Sequence, residues 1–248
     1  MKRLVRANPP DNWDGNNPKA KSRIFGWYES VLTSNNIPSR WITEDVDDEG
    51  DSIVRKHLLS MSRNCCSYCG KRISRECEVD HYLPKQPFRF VAYCWHNYLP
   101  ACRACNGSKS NYIPPALNDR KIIDSILKED IRFQGDSHLF YDENLFATIE
   151  ERLFHPMFDE PSEHFSFETL ELRVRSKGSL IGNTTVSRLF KKDRRFAEEF
   201  KLFPAYIVIR LRDGVMQEDL ISEYSALVGY EFIIRQMIEF YAEFDWNN

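Results

Sequence analysis

Two C-x2-C pairs, Cys66 with Cys69 and Cys102 with Cys105, constrain this chain more than any other feature; 32 residues separate them. Each short turn points two thiolates to one side, and four soft thiolates in a tetrahedron are what a structural Zn²⁺ takes. A site closed by four thiolates keeps no open position for water or substrate, so it builds a scaffold and performs no chemistry itself. Cys65 is an alternative ligand at x3 spacing, whereas Cys77 and Cys94 read as buried thiols. This reading needs a reducing compartment. The opening Met1-Lys2-Arg3-Leu4-Val5-Arg6 runs into Pro9-Pro10 rather than an apolar stretch, so no secretory signal is expected and the chain is placed in the cytoplasm. The odd total of seven cysteines agrees.

The 248 residues suffice for one large domain or two small ones, and no apolar run is long enough for a membrane helix. A net charge of −3 hides a strong asymmetry. Residues 52–111 carry net +7, the residues before them −2 and those after them −8. The middle segment is therefore the part suited to a polyanion such as nucleic acid. The first fifty residues read as peripheral: a loop over Asn8–Asn17, a helix from Lys21 to Leu32, and an acidic run Glu44–Asp51 expected to be a solvated loop. Ile53–Met61 reads as a helix packing through Ile53, Leu58 and Met61. A strand-like piece follows at Cys77–Tyr82, then a short helix ended by Pro114-Pro115. Helical periodicity returns over Asp119–Phe133. Residues 155–182 suggest short strands and turns, while Thr184–Phe200 and Val215–Phe244 read as helices, the second broken at Gly229. The apolar run Phe203–Leu211 fits strand or helix.

Between the cysteine pairs lie Val79-Asp80-His81-Tyr82-Leu83-Pro84-Lys85 and His96-Asn97-Tyr98-Leu99, and the second pair continues as Asn106-Gly107-Ser108-Lys109. Asp-His after an apolar residue, Asn-x-Leu before C-x2-C-Asn, and a Lys three residues on resemble the HNH, or ββα-metal, endonucleases over residues 64–112. Phosphodiester hydrolysis needs a deprotonated water, a cation at the departing oxygen and charge relief on the phosphate. The resemblance implies that His81 is the general base, that Asp80 and Asn106 hold a catalytic Mg²⁺ or Mn²⁺, and that Asn97 ties down the connecting loop and orients the base. Asn106 and Lys109 share a helix face, so Lys109 is expected to reach a phosphate, with Lys85 and Arg103 as further phosphate contacts. Neighbours on a strand point to opposite faces, so a bulge or bend is expected at Asp80-His81. His57, His96, His138, His155 and His164 are expected to be structural.

A second block extends the likeness. Tyr93-x-Trp95-x-Asn97-Tyr98-Leu99-x-Ala101-Cys102, Leu153-Phe154-His155-Pro156-Met157-Phe158-Asp159-Glu160-Pro161 and Gly182-Asn183-Thr184-Thr185-Val186 resemble the PtuB-type nuclease subunits of Septu and of certain retron anti-phage systems. That resemblance implies an effector nuclease beside an ABC/SMC-like, PtuA-like ATPase, with a retron reverse transcriptase and its DNA–RNA product as a further partner. DNA or RNA, for example tRNA, is the expected substrate. The alternative is a catalytically silent zinc-binding adaptor. The acidic C-terminal half suits protein docking better than phosphates. The expected fold is α+β: a zinc-stabilised, treble-clef-like ββα-metal module over 51–115, an N-terminal helical segment over 1–50 and a mainly helical domain over 116–248.

Overall fold

A computed structural model describes residues 1, 3–5, 7–13, 19, 22–24, 26–27, 30, 36–40, 45–75, 77–118, 149–190 and 194–243. The helix expected over Asp119–Phe133 and the residue His138 lie outside these. The class is α+β. Two compact units divide the chain: Leu4–Asn64 with Ile73–Arg152, and Met1–Arg3 with Cys65–Arg72 and Leu153–Asn248. Among the described residues, no helix is long and apolar enough to cross a membrane.

In the first of these units, Ser52 caps helix α1 (Ile53–Met61), its hydroxyl accepting from the Arg55 amide at 3.3 Å. Val54 and Leu58 are fully buried and Met61 packs beside them, an i, i+4, i+7 stripe facing strand β2. The register of this face is therefore set by Val54, whereas Ile53 is only half-buried. Strand β1 (Glu78–His81) pairs antiparallel with β2 (Tyr98–Ala101), Glu78 opposite Ala101 and His81 opposite Tyr98. The four pairs are consecutive and the Tyr82 amide continues the ladder to the Asn97 carbonyl at 2.8 Å, so the bulge expected at Asp80-His81 is absent. Helix α2 (Arg103–Lys109) follows β2 directly and packs on β1. It ends before Pro114, at Ser110, whose φ of 51° cannot continue a helix.

The N-terminal residues are core rather than periphery. Trp13, Ile24, Trp27 and Ile37 are buried in one cluster with Val54, Leu58, Val79, Tyr93, Trp95 and Tyr98. The indole of Trp13 lies 5.7 Å from that of Trp27 and 5.4 Å from the Tyr98 ring, in tilted and edge-on geometries that aromatic quadrupoles favour. The acidic run is likewise not simply solvated. Asp45 is buried, accepts from the Trp13 indole, and pairs with Arg23 at 3.3 Å. Lys56 meets Asp47, Glu49 and Asp51 together. The run looks solvated in sequence because nothing local marks its partners, which lie five to nine residues on at Lys56 and 22 to 32 residues back at Arg23 and Trp13.

The second unit holds α3 (Pro161–His164), the hairpin β3 (Phe165–Glu168) with β4 (Arg173–Ser176), and α4 (Leu180–Thr185), which passes into a wider turn at Val186–Phe190. Helices α5 (Arg195–Phe200), α6 (Phe203–Arg212), α7 (Gln217–Val228) and α8 (Glu231–Glu243) complete it. Phe203–Leu211 is thus helical, and the long C-terminal helix breaks at Gly229 as its sequence indicates. Gly229 has φ of 80°, and a Cβ there would overlap the Gly70 carbonyl oxygen, so both conformation and space demand glycine. The His155–Pro161 block is a set of local ties. Asp159 accepts from the His155 amide at 2.7 Å, and the Thr185 hydroxyl from the Phe154 amide at 2.7 Å.

Candidate active site

The sulfur atoms of Cys66, Cys69, Cys102 and Cys105 all lie within 4.8 Å of one another. A zinc–sulfur bond of about 2.3 Å puts tetrahedral thiolates about 3.8 Å apart, so the donor set and its spacing fit zinc. Two amides point at these sulfurs: Lys71 N–H to Cys69 at 3.5 Å and Cys105 N–H to Cys102 at 3.5 Å. Such donors favour the thiolate form that a metal needs. Gly70 closes the first turn with φ of 83°. Cys65 bridges to Arg72 as backbone, and it is Cys66 that joins the cluster.

Helix α2 begins at the second cysteine pair, with Cys102 as its cap, so Asn106 and Lys109 are held in fixed register to those sulfurs. Glu78 and Asp80, two apart on β1, both reach α2. The Asn106 side-chain amide donates to Glu78 Oε2 at 2.7 Å, and the Lys109 ammonium donates to Asp80 Oδ1 at 2.8 Å and to the His81 carbonyl at 2.7 Å. Asp80 and Lys109 are 4% and 3% exposed, so this is a buried ion pair rather than a lysine held out to solvent.

His81 points the other way, as strand alternation requires. Its Nε2 lies 2.9 Å from the Ala92 carbonyl, and its ring stands edge-on to Tyr98 at 5.0 Å. A carbonyl only accepts, so Nε2 carries the proton and Nδ1 keeps the lone pair. Burial pushes the imidazole pKa down to about 4, against the raising effect of the Ala92 hydrogen bond; Lys85 and Lys109 lower it further and Asp80 raises it. The ring is therefore neutral at pH 7 and lies within electrostatic reach of Asp80.

Asn97 is fully buried and grips the loop that supplies Ala92. Its Oδ1 accepts from the Leu83 amide at 2.7 Å, and its Nδ2 donates to the carbonyls of Leu83 and Val91 at 3.0 and 3.1 Å. The Tyr98 hydroxyl adds a second donor to the Ala92 carbonyl at 2.8 Å. The three residues expected on phosphate separate. Arg103 is exposed in the first turn of α2. Lys85 donates to the Ile37 carbonyl at 2.8 Å and the Ser39 hydroxyl at 3.2 Å, and burial lowers its pKa. Lys109 is the buried partner of Asp80.

The model of the HNH endonuclease family matches residues 66–112, the segment that carries these groups. This module is an HNH domain. Two curated relatives share more of the chain. The Septu protein PtuB of Bacillus thuringiensis is 35% identical over 91 residues, covering 31% of this chain and 35% of its own. The Septu protein PtuB of Bacillus mycoides (strain KBAB4) is 26% identical over 165 residues, covering 60% of this chain and 50% of its own. The chain thus spans half or less of the length of these relatives. No solved structure matches.

Sequence reasoning passed over Glu78, Ala92 and Tyr98 in the HNH domain. Glu78 was within reach, since i and i+2 on a strand share a face and Asp80 was already singled out. Ala92 acts through its backbone, for which no side-chain signal exists.

Proposed function

We propose that this chain is a metal-dependent endonuclease that hydrolyses nucleic-acid phosphodiester bonds. The observation that carries the reading is the His81 imidazole, neutral, with its Nε2 proton committed to the Ala92 carbonyl and Nδ1 left as the base, one residue from the buried Asp80 carboxylate. His81 takes a proton from the attacking water through Nδ1. Asn97 holds the loop on which Ala92 sits and so fixes the ring's tautomer and direction. The hard oxygens of Asp80 and Asn106, on adjoining elements, suit a divalent cation, and Lys109 already shows that this carboxylate accepts a cationic partner. When bound there, Mg²⁺ or Mn²⁺ would relieve charge on the phosphate and steady the departing oxygen. Arg103, exposed in the first turn of α2, is the phosphate contact to test. The expected products are a 3′-hydroxyl and a 5′-phosphate.

Phosphodiester chemistry is indifferent to the base, so DNA and RNA, including tRNA, are both substrates to test. The likeness to Septu proteins supports an effector role in anti-phage defence in the cytoplasm, beside an ABC/SMC-like ATPase, with a retron reverse transcriptase as the second partner to test. The experiment is cleavage of duplex DNA, single strands and total RNA by the purified chain, alone and with its neighbouring gene products, in Mg²⁺ or Mn²⁺. His81→Ala is expected to abolish cutting while keeping zinc and fold. Full activity in that variant overturns the assignment, and cutting by neither protein under any condition favours the adaptor reading.

A further inference from the structure

We infer that Glu78 is a positioning residue for Asn106, setting which end of its side-chain amide is offered to the catalytic cation; the inference rests on the metal reading above. A primary amide presents an oxygen on one side and an NH₂ group on the other, in nearly the same shape. A hard divalent cation binds only the oxygen. An asparagine ligand that can flip therefore spends part of its time offering two N–H donors to a cation, which repels it.

The fold removes that freedom. Glu78 Oε2 accepts from Asn106 Nδ2 at 2.7 Å, and a carboxylate cannot exchange this for the amide oxygen, because two acceptors repel. Oδ1 is left for other use. Glu78 stands two residues before Asp80, so both carboxylates lie on the face of β1 that meets α2. There they make two rungs one helical turn apart, Glu78 to Asn106 and Asp80 to Lys109. Glu78 is half-buried where Asp80 is nearly fully buried, which suits a residue acting through its neighbour. A hydrogen-bonded carboxylate behind a ligand commonly raises metal affinity 10- to 100-fold.

The test is a double-mutant cycle on Mn²⁺ binding by the full chain, read by electron paramagnetic resonance of unbound Mn²⁺, with zinc content and circular dichroism as fold controls. An aspartate at position 106 has two equivalent oxygens and needs no orienting partner. Glu78→Ala is expected to weaken Mn²⁺ binding 10- to 100-fold in the native background, and not to weaken it in the Asn106→Asp background, where the two facing carboxylates repel. Unchanged affinity in the native background overturns the inference. So does equal weakening in both backgrounds, which would make Glu78 a ligand in its own right. An affinity that also ignores Asp80→Ala overturns the metal reading, and the inference with it. A response to Asp80→Ala without one to Glu78→Ala overturns the inference alone.

Discussion

Lys109 carries its charge out of water only because Asp80 and the His81 carbonyl receive it. Removing one member of a buried pair leaves the other charge uncompensated, at a cost of about 3–5 kcal/mol. Lys109→Met is therefore expected to lower the melting temperature sharply in metal-free buffer. Millimolar Mg²⁺ should restore part of the loss, since a cation can take the ammonium's place beside Asp80; thermal melts with and without Mg²⁺ check both. Asn97 presents a neutral version of the same problem. Asn97→Ala strands the Leu83 amide and carbonyl in a dry interior, each orphaned group costing about 1–3 kcal/mol, while the Val91 carbonyl keeps the Cys94 amide. Cutting should fall even where the variant still folds, because the loop behind His81 loosens; activity measured well below the melting point is the check. The identities of Asp80, His81, Asn97 and Asn106 stand out in sequence through their order around the cysteines. The burial of Lys109 does not, because a lysine on a short helix looks the same whether it meets solvent or a carboxylate 29 residues earlier.

Among the elements, β1, β2 and α2 are too short to be stable alone: four, four and seven residues. An isolated two-stranded hairpin is marginal in water, so a metal held by the four cysteines would contribute folding free energy here. Chelation, or Cys102→Ser, is expected to remove one equivalent of zinc and to lower the melting temperature, read by metal analysis and circular dichroism on the same sample. Gly229 governs a different junction, the turn from α7 into α8. Gly229→Ala combines a positive φ with overlap on the Gly70 carbonyl oxygen, and more than 1 kcal/mol of stability should be lost in denaturant titration. Helix α1, the hairpin β3–β4 and the α7–α8 break follow from local pattern. Phe203–Leu211 did not declare itself, because an apolar run of that length suits either period until its neighbours are known.

Across the molecule, charge is distributed as the proposed activity needs, with net +7 over residues 52–111 against an acidic remainder. Nucleic-acid binding should weaken steeply with salt, and Arg103→Ala should shallow the log K against log salt slope by about 1. Lys85→Ala should shallow it less, since that ammonium already serves the Ile37 carbonyl and Ser39. Equal slopes for wild type and Arg103→Ala would remove this residue from the interface.

The four-cysteine cluster and the order of the chemical groups could be read before any fold, because thiol spacing and motif order are local properties of a chain. The N-terminal tryptophans in the core, the buried Asp45, the tautomer of His81 and the Glu78 rung could not. Each depends on a partner 11 to 85 residues away, and only the folded chain sets which polar atoms are left without water and must find one another.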